Sequence, residues 1–119
     1  MAGTCLIIDD DEMFVEIFTR VVRPYGLTAT AVNTVPAAVS ALMQRDYDVV
    51  FLDLRLGNVD GTNVIDAIRK IKPHILHRIL AVTSYPGGAK NLPPEVVVID
   101  KANLAGVGAR VAAVLGLES

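Results

Sequence analysis

Short runs of β-branched and apolar residues alternate with stretches of helical spacing along this chain, and that alternation is the signature of a parallel sheet covered by helices on both faces. The first run, Thr4 to Ile8, breaks into Asp9, Asp10, Asp11 and Glu12, after which Phe14, Ile17, Phe18, Val21 and Tyr25 fall on one helical face. Pro24 loosens the last turn of this helix and Gly26 stops it. A strand over Thr28 to Val32 follows, then a helix capped by Thr34 with Pro36 in its first turn, ending near Gln44 to Asp46. Asp48 to Asp53 is a continuous apolar strand framed by acids, as expected of a central strand buried on both faces. Gly57, Asp60 and Gly61 mark a loop, and Val64, Ile65, Ile68 and Ile71 stripe a third helix that Pro73 stops. Arg78 to Thr83 and Val96 to Ile99 are the next strands, and Asn103 caps a final helix that contains Gly106 and Gly108 and ends at Gly116.

One crossover breaks the rhythm. Ser84 to Glu95 stands where the alternation requires a fourth helix, yet it holds two glycines and three prolines in twelve residues. These are the poorest helix formers, so the helix is expected to be missing or reduced to a single turn around Ala89 to Leu92.

At 119 residues the chain is expected to form one domain, residues 1–119. Its 52% apolar content excludes disorder, and a net charge of -2 supplies no field that would draw in nucleic acid or an anionic membrane. One cysteine, Cys5, closes no intrachain disulfide, Met1 to Ile8 lacks the pattern of an export signal, and no apolar run approaches the roughly 18 residues that cross a bilayer. A cytoplasmic location is expected.

The chemistry gathers at strand ends. In an open parallel sheet, sites form beyond the carboxyl ends of the strands. Asp9 and Asp10, Asp53, Thr83 and Lys101 all fall there, which puts acids, a hydroxyl and an ammonium on one rim. Taken alone, Asp9 and Asp10 would read as acids favouring a helix dipole, Thr83 as a strand-end hydroxyl and Lys101 as a surface lysine. Together they describe a site: clustered carboxylates repel one another, and a hard divalent cation such as Mg2+ is their natural neutraliser. A carboxylate beside such a metal can attack phosphorus, with Thr83 and Lys101 placed to bond the phosphoryl oxygens. His74 and His77 lie by the opposite rim and read as surface residues, and Cys5 as a small buried one.

The strings LIIDDDE, VVFLDLRLGNVDG, LAVTSY and VVVIDK, taken together, make the chain resemble a receiver domain of two-component response regulators over nearly all of its length. The resemblance implies a doubly wound, flavodoxin-like α/β fold with a five-stranded parallel sheet of order 2-1-3-4-5. It implies phosphorylation of Asp53, Mg2+ held by Asp9, Asp10, Asp53 and the backbone carbonyl of Arg55, and a phosphoryl group bound by Thr83 and Lys101. A histidine kinase or histidine phosphotransfer protein would donate the phosphoryl group and a downstream protein would read it, with no direct contact to nucleic acid or membrane. The chain departs from the family in three places: Ala102 follows Lys101 where proline is usual, Val98 stands where many members carry Tyr or Phe, and the Thr83 to Lys101 interval is short. Tyr85 resembles the Thr-Gly-Tyr variant of some receivers.

The leading expectation is thus a phosphoacceptor switch with no output domain in this chain, limited to self-catalysed phosphotransfer and slow autodephosphorylation rather than enzymatic turnover. The alternative is a receiver-shaped interaction module that works without phosphate. A haloacid dehalogenase type phosphohydrolase requires an aspartate two residues after the nucleophile, where this chain has Arg55, and a flavodoxin requires a phosphate loop where it has Asp9 to Glu12.

Overall fold

The apolar runs become five parallel strands of one sheet, β1 (Gly3–Ile8), β2 (Leu27–Val32), β3 (Val49–Asp53), β4 (Ile79–Thr83) and β5 (Val97–Asp100), in the order β2-β1-β3-β4-β5. This computed structural model describes residues 3–89 and 91–117. The expected fold class and strand order are those observed. Successive side chains of a strand point to opposite faces. Leu6, Ile8, Val50, Leu52 and Ala81 therefore pack on one side, and Cys5, Ile7, Phe51, Leu80 and Val82 on the other. Every residue of β3 is buried, which is why its sequence is apolar without alternation.

Helices α2 (Val35–Gln44) and α3 (Thr62–Ile71) cover the first face, and α1 (Glu12–Val22) and α4 (Val107–Val114) the second. On the second side the rings of Phe18 and Phe51 stack at 4.3 Å, and complete burial of such a side chain contributes about 1.5–3 kcal/mol. Side chains cap α1 and α2, whereas α3 and α4 start at Gly61 and Gly106 without a capping side chain. Asp11 accepts the Met13 N–H at 2.9 Å and Thr34 the Ala37 N–H at 3.2 Å. Asp60 accepts both the N–H and the hydroxyl of Thr62, at 2.9 and 2.8 Å. Pro24 turns the end of α1 into a 3-10 turn, Arg23–Tyr25, closed by Gly26 at φ 76°.

Three local expectations are corrected. Asn103 does not cap α4; its Oδ1 accepts the Ala105 N–H at 3.3 Å, and the helix begins only after Gly106, whose φ of 82° is incompatible with a helical turn. Ile71 lies half exposed in the last turn of α3 rather than in its buried stripe. The 3-10 turn of the fourth crossover forms at Pro86–Gly88; of the turn expected around Ala89 to Leu92, Lys90 lies outside the described residues, and Ala89, Asn91 and Leu92 are not helical. Proline at its start fixes φ for the turn, whereas Asn91 at φ 63° breaks any helical continuation. Among the described residues the crossover contains no α-helix.

Candidate functional site

The site is built where β1, β3, β4 and β5 run out. The Asp9 N–H still bonds Val32 O at 3.1 Å, so the sheet ladder itself sets the position of this residue, which is only 3% exposed. Its Oδ1 accepts the Asp11 N–H at 2.9 Å. Asp10 is exposed and accepts the Gly57 N–H at 2.9 Å, which ties it to the turn between the two-residue strands Arg55–Leu56 and Val59–Asp60. Asp53 is 6% exposed and accepts the Arg55 N–H at 3.0 Å on Oδ1. Directly behind it stands Gly61, where a Cβ would run into the Asp53 carbonyl oxygen. Only glycine fits that approach.

Lys101 reaches in from the end of β5. Its N–H bonds Thr83 O at 2.9 Å, and its Nζ lies 3.0 Å from Asp53 Oδ2 and 3.1 Å from Asp9 Oδ2. All described peptide bonds are trans, that of Lys101 to Ala102 included. The ammonium also sits over the ring of Phe14, 4.2 Å from its centroid. Thr83 Oγ1 accepts the Tyr85 N–H at 3.0 Å and keeps its own hydroxyl proton for another acceptor. Asp10, Asp53, Arg55, Thr83, Tyr85 and Lys101 line an open cleft of about 780 Å³.

The electrostatics follow from burial. Removal from water pushes the Asp9 carboxyl above its ordinary value, and the neighbouring Asp53 adds to the rise against the Asp11 N–H and Lys101, which hold it down. Burial works to lower the Lys101 value, but hydrogen bonds to Asp53 and Asp9 and the charges of both outweigh it, leaving the ammonium above the ordinary lysine value. One oxygen from each of Asp9, Asp10 and Asp53 lies within 4.8 Å of the others. Asp9 Oδ2 is buried without a hydrogen bond, because the nearby ammonium lies off the bonding direction. Three carboxylates with an unfilled buried acceptor are the hard, oxygen-only donor set that suits Mg2+.

The structure thus brings Asp9, Asp10, Asp53, Thr83 and Lys101 together, with Arg55 beside them through its N–H and its side chain exposed. Sequence reasoning missed Phe14 and Gly61 as parts of the site. Phe14 was visible only as one more member of the α1 stripe, and Gly61 only as a loop residue. His74 stands apart, paired with Asp46 at 3.0 Å; Lys72 first and His74 second hold the Asp46 carboxyl down at about 2. Cys5 is fully buried, which pushes its thiol up to about 12. Val98, in place of an aromatic, is partly exposed on β5, and Tyr85 is 81% exposed. No helix among the described residues is long and apolar enough to cross a membrane.

Known proteins share this fold. The fold matches the receiver domain of the sensor histidine kinase PA1611 of Pseudomonas aeruginosa, a structure with a magnesium ion coordinated in its active-site cleft, at a TM-score of 0.82 and 19% identity over 98% of this chain and 99% of that one. It also matches the Thermotoga maritima response regulator TrrA in complex with Mg2+ and BeF, at 0.77 and 23% identity, over 95% and 99% of the two chains. In sequence, the chain is 29% identical over 83 residues to the Pseudomonas aeruginosa alginate biosynthesis transcriptional regulatory protein AlgB, covering 70% of this chain and 18% of that protein. The DNA-binding transcriptional regulator NtrC of Escherichia coli is 27% identical over 108 residues, covering 84% and 23%. The chain therefore spans less than a quarter of the length of these two relatives. Residues 5–92 match the family model of the response regulator receiver domain, so the acids, hydroxyl and lysine on this rim sit in a chain that belongs to that family.

Proposed function

We propose that this chain is a phosphoacceptor switch in which Asp53 takes a phosphoryl group from a phosphohistidine on a histidine kinase or histidine phosphotransfer protein. The observation that carries this reading is the Lys101 ammonium held between Asp53 and Asp9, with the Thr83 carbonyl bonded to the Lys101 N–H. Asp9, Asp10, Asp53 and the Arg55 carbonyl would hold Mg2+. When bound, Mg2+ supplies positive charge that neutralises the carboxylates and the phosphoryl oxygens.

The chain's own residues supply the rest. A carboxylate oxygen of Asp53 attacks phosphorus while the phosphorus–nitrogen bond of the donor breaks and its electron pair returns to the imidazole. As the Asp53 charge moves onto the phosphoryl group, the Lys101 ammonium follows it with a charge-assisted hydrogen bond. The Thr83 hydroxyl donates to a second phosphoryl oxygen. Arg55 stands where a general acid would be needed for turnover, so the group stays on Asp53 and leaves by slow hydrolysis.

A net charge of -2 favours protein partners over direct contact with nucleic acid for this chain, in the cytoplasm, with residues 1–119 as one domain. A receiver-shaped module that works without phosphate is the second reading, favoured by Val98 and by a crossover that holds no α-helix among its described residues. Intact mass after incubation with acetyl phosphate and Mg2+ separates the two: the wild type gains one phosphoryl group and Asp53→Asn gains none. An unchanged wild-type mass, or a gain that persists in Asp53→Asn, overturns the switch.

A further inference from the structure

Lys101 has a long, rotatable side chain, and a lysine loses much of its rotamer freedom when fixed. At rest its ammonium hydrogen-bonds Asp53 Oδ2 at 3.0 Å and Asp9 Oδ1 at 3.5 Å. Both carboxylates have other duties in the reading above, Asp53 as acceptor and each as a ligand. A group that held Lys101 only through these two would lose its hold at the moment it is needed. The third neighbour of the ammonium is different in kind: the face of Phe14, 4.2 Å from Nζ to ring centroid, which neither a metal nor a phosphoryl group takes away.

Phe14 is itself fixed. It lies in the first turn of α1, three residues after the Asp11 cap, and its ring is 6.1 Å from that of Phe18, which stacks on Phe51 of β3 at 4.3 Å. An aromatic row thus runs from the core of the sheet to the ammonium. The Lys101 side chain is 11% exposed, so the attraction acts at a largely desolvated charge, where cation–π contacts are strongest.

We propose that Phe14 is a positioning residue for Lys101, its ring face keeping the ammonium at the rim while Asp9 and Asp53 are redirected to other partners. The inference rests on the reading that Lys101 binds the phosphoryl group. Its test is binding of beryllofluoride in the presence of Mg2+ to the full chain, in the wild type, Phe14→Leu, Phe14→Met, Phe14→Tyr, Lys101→Ala and the double variant Phe14→Leu with Lys101→Ala. Melting temperatures and the affinity for Mg2+ alone are measured beside it. Loss of the ring is expected to weaken beryllofluoride binding about fivefold in Phe14→Leu and in Phe14→Met. Phe14→Tyr should restore it, the affinity for Mg2+ alone should hold, and Phe14→Leu should have no further effect once Lys101 is alanine. Wild-type affinity in both ring-less variants, failure of tyrosine to restore binding, or an equal loss in the Lys101→Ala background overturns the proposal. Wild-type affinity in Lys101→Ala instead removes the role of Lys101 itself, and the inference with it.

Discussion

Asp9, Asp10 and Asp53 each accept a backbone N–H, from Asp11, Gly57 and Arg55, and two of the three are buried. Across the same rim, Ser84 to Gly88 are all exposed, and among the described residues the segment is tied down by little more than the Tyr85 N–H on Thr83 and one 3-10 turn before Leu92, Pro93 and Val96 return to the core. The acid side is overdetermined and the crossover side is not. Groups that must meet phosphorus in one geometry gain from the first arrangement. A segment that must change state gains from the second, because only a low local stability lets a small charge event shift its population. Lys101 joins the two, its N–H on Thr83 and its ammonium among the acids.

The acid side is expected to break most severely when one of its carboxylates is lost. Asp10→Ala is expected to weaken Mg2+ binding more than about a hundredfold, because two carboxylates replace three. Asp9→Asn should weaken it as well, yet stabilise the protein without Mg2+ at neutral pH. The sign follows from burial: with its folded value raised, Asp9 takes a proton more readily in the folded chain than in the unfolded one, so stability falls as pH rises from about 3.8 through the folded value. An asparagine removes that fall. Lys101 has the same sign at higher pH, its contribution complete below about 10.5 and lost as pH rises through its raised folded value. Urea unfolding across pH without Mg2+ checks both: Asp9→Asn should flatten the acid-to-neutral decline and leave an alkaline decline. An Asp9→Asn protein less stable than wild type at pH 7 contradicts this account.

A smaller but sharp effect is expected behind Asp53. A methyl group at Gly61 would meet backbone rather than a flexible side chain, so Gly61→Ala must move the end of β3. Overpacking of this kind costs about 1–3 kcal/mol. Chemical denaturation should show that loss, together with slower labelling by acetyl phosphate, whereas Asp11→Ala should lose about 1 kcal/mol from its cap and label normally. Equal labelling in Gly61→Ala would mean that Asp53 tolerates displacement. The contrast also marks what was legible beforehand. Asp53 and Lys101 could be read because each ends an apolar run, a local pattern. Gly61 and Phe14 matter through contacts that close in space, one behind Asp53 and one across the rim from β5 to α1, and no local pattern records them. Asn103 shows the converse: its sequence context favours a cap, but the left-handed backbone at Gly106 overrides it. Among the described residues of the crossover, composition excluded an α-helix correctly and misplaced the 3-10 turn, because the backbone of Asn91 was not foreseeable.

The smallest energy belongs to the crossover. A phosphoryl group on Asp53 adds negative charge near Thr83 and Lys101, both of which line the cleft with Asp53. If Thr83 donates its hydroxyl to that group while still accepting the Tyr85 N–H, the start of the crossover is drawn toward the site and its exposed backbone becomes more ordered. Only a few hydrogen bonds change, each with a net contribution of about 0.5–1.5 kcal/mol, so the expected result is a several-fold slowing of exchange rather than full protection. Amide hydrogen exchange over Ser84 to Asp100, with and without beryllofluoride and Mg2+, reads this directly. Protection should rise in Ser84 to Ala89 of the wild type, stay constant in β1 and β3, and fail to rise in Thr83→Ala. Strong protection of the crossover before the mimic is added, or an equal rise in Thr83→Ala, would place the soft element elsewhere and reduce the difference between the two sides of the rim to one of composition alone.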